Sequence, residues 1–220
     1  ALDAVRSGKM PEVDLDYFFH RLARMAVTRD PGLLQLVERY LDLSDLIAIR
    51  KRMIGTGLIG GKSVGMLLAR SVLKKKGEGW REKLEAHDSF YVGSDVFYTY
   101  LVENNCWWVR RKQRDPATLL EGVEPARQRL LSGTFPDYIK NQFMEMLDYF
   151  GQSPIIVRSS SLLEDNYGNA FSGKYESVFC ANQGTPRERL ETFISAVRKV
   201  YASTMSKEAL MYRARRNLLD

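Results

Sequence analysis

The stretch that most limits what this chain can become is Pro154–Phe179, PIIVRSSSLLEDNYGNAFSGKYESVF. Ile155, Ile156 and Val157 form a contiguous β-branched run, which predicts a buried strand. Arg158 closes that run, and the hydroxyls of Ser159, Ser160 and Ser161 follow it. A polar stretch with Glu164, Asp165, Asn166, Gly168 and Asn169 predicts turns, and the alternation from Tyr175 to Phe179 predicts a second strand. A guanidinium at a strand end, beside hydroxyl donors and a glycine-containing loop, suits a polyanion such as the phosphate tail of a nucleotide. The same residues also allow Arg158 to pair with Glu164 or Asp165 and simply pin a hairpin.

A second informative stretch runs from Gly55 to Gly65, GTGLIGGKSVG, and three readings compete for it. As a P-loop it ends in Gly61-Lys62-Ser63, but Thr56 stands where the first glycine is required, and the residues before it read as helix. As a dinucleotide fingerprint, Gly55, Gly57 and Gly60 have the right spacing. Against it, no strand is expected before them and no acidic residue ends a strand about 20 positions on. The third reading is a glycine pair, Gly60-Gly61, opening a helix near Ser63. The glycines permit close backbone approach, the helix start aims its N–H groups at an anion, and Lys62 adds a mobile charge.

Taken together, these residues resemble a known family. Val157, Arg158, Ser159, Ser160, Glu164 and Asp165, then Ala170-Phe171-Ser172-Gly173-Lys174, are similar to a V-R-S-S-A-x-x-E-D segment followed by S-F-A-G-Q. Gly60, Gly61, Lys62, Ser63 and Leu67 match an opening G-G-K-G/S-x-x-L. The resemblance is to the N-terminal nucleotide-binding domain of the phosphoenolpyruvate synthase and pyruvate, phosphate dikinase family, which has an ATP-grasp fold. Ser161 and Lys174 depart from the family's usual Ala and Gln. Phe90, Ser94 and Phe97 fit a further P-P-G-F-x-x-T-T-x-x-F segment, although His87-Asp88-Ser89 replaces Pro-Pro-Gly. The likeness covers roughly Gly60 to Asp220.

The resemblance implies an α/β (α+β) chain: a partial ATP-grasp-type nucleotide-binding domain over residues 55–220, preceded by a helical extension over 1–54. It implies ATP, with Mg²⁺, as cofactor. Lys62 and Arg158 would carry the charge-neutralising, catalytic role. Gly60, Gly61, Lys62, Ser94, Arg158, Ser159, Ser160, Ser172 and Gly173 would bind the nucleotide. In the family, ATP phosphorylates a histidine on a swivelling domain, which passes the group to pyruvate on a third domain. Both domains are therefore expected partners.

The family's Mg²⁺-binding carboxylate and the strands completing the adenine pocket are expected beyond Asp220. Neither His20 nor His87 sits in a T-S-H phosphohistidine motif. The chain alone is thus expected to lack the complete synthase activity, and its end at Leu218-Leu219-Asp220 without a terminal cap reads as truncation. The acceptor stays open, since related enzymes phosphorylate glucans or a rifamycin antibiotic. A non-catalytic nucleotide-binding or regulatory module is the alternative.

Composition narrows the remaining classes. A chain of 220 residues buries on the order of 70% of its unfolded surface, enough for a substantial core. No apolar run approaches the roughly 20 residues that span a bilayer. Cys106 and Cys180 form no metal-ligand cluster, which fits a reducing cytoplasm, and two histidines exclude a histidine-rich metal site. The net charge of +6 favours anionic partners. The clusters Lys74-Lys75-Lys76, Arg110-Arg111-Lys112 and Arg213-Arg215-Arg216 read as solvated helix faces. Trp107 and Trp108 beside Arg110 have the ingredients of a single-strand binder, but read as a core-packed segment, so nucleic acid is not an expected partner.

Periodicity predicts helices over Asp14–Thr28, from Pro31 through Leu41, and from an N-cap at Ser44 toward Met53. Another is expected from Ser63 to the lysine run, with Trp80–His87 as a polar connection, a strand over Phe90–Val92 and a helix over Val96–Glu103. Asn104–Gln152 reads as largely helical, with Pro136 opening an amphipathic helix that Gly151 caps. Thr185, Pro186 and Glu188 make a helix start ahead of Leu190, Phe193, Ile194, Val197 and Val200. A last helix holds Ala209 to Arg213.

Overall fold

The computed structural model of the chain describes residues 13–85, 88–161 and 173–218. His87, Glu164, Asp165 and Ser172, and the pairing of Arg158 with either carboxylate, lie outside the described residues. The chain divides into two compact units at Asp95/Val96. It is a mixture of helix and small sheets, and the described residues hold two two-stranded sheets.

The first unit opens with helix α1, Val13–Leu22, continued by a π-helical turn over Ala23–Val27. Helix α2, Pro31–Tyr40, begins at the expected proline, and the Asp30 carboxylate caps it by accepting from the Leu33 N–H at 2.8 Å. Helix α3 spans Leu43–Lys51, and its N-cap is Asp42 rather than the expected Ser44. Asp42 accepts from Asp45 N–H while Asp45 accepts from Asp42 N–H, a reciprocal box that the Ser44 hydroxyl, two residues further on, does not make. Ser44 Oγ donates to the Asp42 carboxylate instead.

Met53–Ile54 is strand β1, not the end of a helix, and it pairs in parallel with β2, Tyr91–Val92, in the register Met53↔Tyr91 and Ile54↔Val92. A parallel pair needs a crossover, which α4, Gly61–Lys75, supplies within the connection. The polar connection after it contains a short helix, α5, Glu78–Arg81. One core holds Val27, Val37, Leu46 and Ile49 from the leading helices together with Ile59, Val64, Leu68 and Tyr91.

Helix α6, Ser94–Glu103, begins at the end of the first unit and runs into the second. There follow α7 (Trp107–Lys112), α8 (Val123–Ser132) and α9 (Asp137–Phe150). Strands β3 (Ile155–Arg158) and β4 (Ser177–Cys180) pair antiparallel, and helices α10 (Pro186–Ser203) and α11 (Lys207–Arg215) close the chain. Helix α10 starts with the expected Thr185/Glu188 capping box. The core here is aromatic: the Tyr100 and Phe135 rings stack 4.2 Å apart, Phe135 meets Phe143 edge-on, and Phe143 meets Phe193. The Tyr100 hydroxyl donates to the Leu130 carbonyl at 2.7 Å, which satisfies its polar end inside that core.

Strand β3 is not buried as its sequence predicts. Ile156 is 43% exposed and its cross-strand partner Phe179 is 82% exposed. A two-stranded sheet has two faces, and α10 packs against β3 and β4 while Cys180 turns inward, so alternate residues face outward. Trp108 likewise is 66% exposed rather than core-packed, and the Arg111 guanidinium lies over its ring at 5.1 Å. Of the basic clusters, Lys74–Lys76 is exposed as expected, whereas Arg213 is 2% exposed and Arg110 half-buried.

Candidate functional site

The glycine-rich loop of the first unit leaves β1 at Gly55 and enters α4 at Gly61, so a strand does precede it, contrary to the sequence reading. The loop's shape is fixed from both sides. Gly55 takes φ +80°, a left-handed conformation that glycine adopts without a Cβ clash, and its carbonyl accepts from Arg50 Nη1 at 3.0 Å. Ile59 N–H donates to the Ala26 carbonyl in the π-helical turn at 2.8 Å. The leading helices therefore grip this loop directly.

From the other side, the start of α6 holds it. The Asp95 carboxylate accepts from Thr56 N–H at 2.9 Å, Thr56 Oγ1 at 3.2 Å and Gly57 N–H at 2.6 Å. Ser94 Oγ accepts from Leu58 N–H at 3.1 Å, and Ser94 N–H donates to the Leu58 carbonyl at 3.0 Å. A Cβ on Gly57 would stand 2.6 Å from the Asp95 backbone nitrogen, so the close approach requires glycine. Asp95 is a loop-holding residue that sequence reasoning missed. The available signal was an acidic residue in the first turn of a helix, where it complements the dipole and has backbone N–H groups to accept from.

Gly60 is the N-cap of α4, with φ −87° and ψ 173°, and carries no side chain to occupy the helix start. The first turn therefore contains Gly61, Lys62 and Ser63, two residues earlier than the sequence placed the start. A helix N-terminus whose cap residue brings no side-chain acceptor, with a lysine in its first turn, is suited to an anion. Gly60, Gly61, Lys62 and, through its bond to Leu58, Ser94 are thus gathered around one loop.

The second half of the predicted set lies in the other unit. Arg158 is exposed at the end of β3, opposite Ser177, with Ser159 buried and Ser160 half-buried immediately behind it. Gly173 takes φ +71° just before Tyr175 and β4. The strand is delivered to this place by two buried pins. Arg189 Nη1 donates to the carbonyls of Leu147 at 2.9 Å and of Gly151, and its Nη2 to Asp148 at 3.2 Å. Asn182 Nδ2 donates to the carbonyls of Gly151 at 2.9 Å and Ser153 at 3.0 Å. Lys174, the departure noted above, places its ammonium 5.1 Å from the Tyr212 ring centroid.

Among the described residues no group of three or more His, Cys, Asp or Glu side chains could hold a metal ion. No described helix is long and apolar enough to cross a membrane.

The family model described as pyruvate phosphate dikinase, AMP/ATP-binding domain, matches residues 56–220, three quarters of the chain. The chain belongs to this dikinase family. The matched span begins at Thr56, inside the glycine-rich loop, and takes in Lys62, Ser94, Arg158 and the serines behind it. Comparison with curated proteins and with solved structures gave no match. Strand β1 supplies the strand whose expected absence had counted against the P-loop and dinucleotide readings of Gly55–Gly65.

Proposed function

We propose that the chain is the ATP-binding portion of a dikinase-type phosphotransferase, with an ATP-grasp architecture. The observation that carries the proposal is the uncapped start of α4: a strand, a glycine loop clamped by Asp95, and a helix whose first turn presents Lys62. Lys62 binds the phosphate tail as a point charge, and Arg158 binds it as a planar fork. Gly60 and Gly61 allow the backbone to approach a phosphate oxygen, while Ser94, Ser159, Ser160, Ser172 and Gly173 add donors around it. Phosphoryl transfer depends chiefly on positioning and charge neutralisation, which is the work these residues are equipped to do.

ATP fits this donor set, since every contributing group is a cation, a hydroxyl or a backbone N–H. Among the described residues no group of three or more His, Cys, Asp or Glu side chains could hold magnesium. A histidine on a swivelling domain and a pyruvate-binding domain are the proposed partners in the full reaction. We further propose that residues 1–54 form an extension of a nucleotide domain spanning 55–220. The start of the family match at Thr56 and the grip of Arg50 and Ala26 on the loop support that division of labour.

Isothermal titration with ATP·Mg²⁺ tests the reading. Wild type should bind, and Lys62→Ala and Arg158→Ala should each weaken binding about tenfold or more, the loss of one charge-assisted contact of roughly 1.4 kcal/mol or above. Equal heats for all three proteins would remove the site.

A further inference from the structure

Two arginines predicted to face solvent are instead turned into the second unit. Arg213 on α11 is 2% exposed, and its Nη2 donates to Oε1 of Gln113, itself fully buried, at 3.2 Å. Arg110 on α7 is half-buried with its Nη1 sealed from solvent. Three buried donors in this cluster have no hydrogen-bond partner: Arg110 Nη1, Gln113 Nε2 and Arg213 Nε. Among the described residues no carboxylate lies within ion-pair distance of either arginine.

The groups whose charge acts on Arg110 are Arg213 and Arg114, of its own sign, and the hydroxyls of Tyr98 and Tyr175. Burial foremost, and then the Arg213 charge, pull the Arg110 guanidinium below its ordinary value. Buried charges are normally paired, because an uncompensated one costs several kcal/mol. Buried amide and guanidinium donors normally find acceptors for the same reason. Among the described residues this cluster has two like charges, three idle donors and no anion, and so is short of one negatively charged group with several acceptor oxygens.

We infer that Arg110, Gln113 and Arg213 form a second anion site, separate from the glycine loop and Arg158, that takes a small oxyanion of the phosphate class. An oxyanion supplies multiple lone pairs to N–H donors that come from three side chains, which chloride does not match as well. The half-exposed side of Arg110 is the entry, and the deep burial of Gln113 and Arg213 limits the occupant to a small group. Inorganic phosphate and a nucleotide's terminal phosphoryl group share this chemistry.

The test uses a Lys62→Ala/Arg158→Ala background, so that phosphate binding at the proposed nucleotide site does not contribute. Inorganic phosphate is titrated calorimetrically at constant ionic strength, with chloride as the balancing anion. Saturable phosphate binding should persist in that background, Arg110→Gln should weaken it at least tenfold, and Arg110→Lys should restore part of it. Circular dichroism confirms that each variant is folded. Without phosphate, Arg110→Gln should melt no lower than its parent, since it relieves a like-charge contact. ATP titrated into the same proteins distinguishes the sources: loss of an ATP signal with Arg110→Gln, but no phosphate signal at any stage, assigns the site to a nucleotide's phosphoryl group. Absence of both signals, or a phosphate signal indifferent to Arg110→Gln, overturns the proposal.

Discussion

The Asp95 carboxylate accepts the Gly57 N–H at 2.6 Å and the Thr56 N–H at 2.9 Å, closing a loop across 38 residues of sequence. Hydrogen bonds to an ionised group contribute roughly 1.5–3 kcal/mol each when desolvated, and less where water competes. Asp95→Ala should therefore destabilise the protein by about 2 kcal/mol, read as a lower urea midpoint with unchanged m. It should also weaken ATP binding more than Ser94→Ala, which removes a single acceptor from Leu58 N–H.

Glycine at position 57 is a packing requirement, whereas at position 65 it is not. A Cβ at Gly57 meets the Asp95 backbone nitrogen at 2.6 Å, while one at Gly65, exposed within α4, meets nothing within 4 Å. Gly57→Ala should cost about 1–3 kcal/mol through displacement of backbone. Gly65→Ala should stabilise by up to about 1 kcal/mol through helix propensity. Thermal unfolding of the two variants side by side checks both signs.

Arg189 is 7% exposed and ends helix α9 by donating to Leu147 and Gly151 carbonyls. Arg189→Met keeps much of the volume but removes this donor from the Leu147 carbonyl and leaves the Gly151 carbonyl to Asn182 Nδ2, so it should cost about 1–3 kcal/mol. Because Gly151 leads into β3, hydrogen exchange should quicken at Ile155–Arg158 in the variant before it quickens in the first unit.

The Glu188 carboxylate accepts from Thr185 N–H and Oγ1 at 2.8 Å each, and these bonds hold its pKa below the ordinary glutamate value. A folded-state pKa that is depressed contributes stability above the unfolded value, about 4.3, and loses it as pH falls through the folded one. Wild type should thus exceed Glu188→Gln in stability at neutral pH, with the gap closing as pH drops below about 4. A gap that persists at pH 2 would contradict the assignment.

Much of this was legible from local chemistry. Pro31, Pro136, Gly151 and the Thr185/Glu188 box mark helix ends because capping is decided within four or five residues. The glycine pair ahead of α4 was legible for the same reason, although the helix begins at Gly61 and not near Ser63. What escaped is what depends on distant partners. Met53–Ile54 is too short for any period and is a strand only because Tyr91–Val92 lies beside it. Asp95 looks like any first-turn acid until the loop arrives 38 residues earlier in the chain. The Arg213 charge repeats a surface pattern, yet its helix turns it onto Gln113, 100 positions away. Ile156 reads as core from its β-branched run and Phe179 as strand from its alternation, but a two-stranded sheet covers only one of its faces.

The central claim is that Lys62 and Arg158 act on one phosphate tail, and a double-mutant cycle on ATP·Mg²⁺ affinity tests it most directly. Groups sharing a ligand group couple by about 0.5–3 kcal/mol, whereas independent ones add within about 0.5 kcal/mol. The account predicts that Lys62→Ala and Arg158→Ala each weaken binding, and that the double variant loses less than the sum of the two. Strict additivity, or undiminished affinity in either single variant, would contradict it.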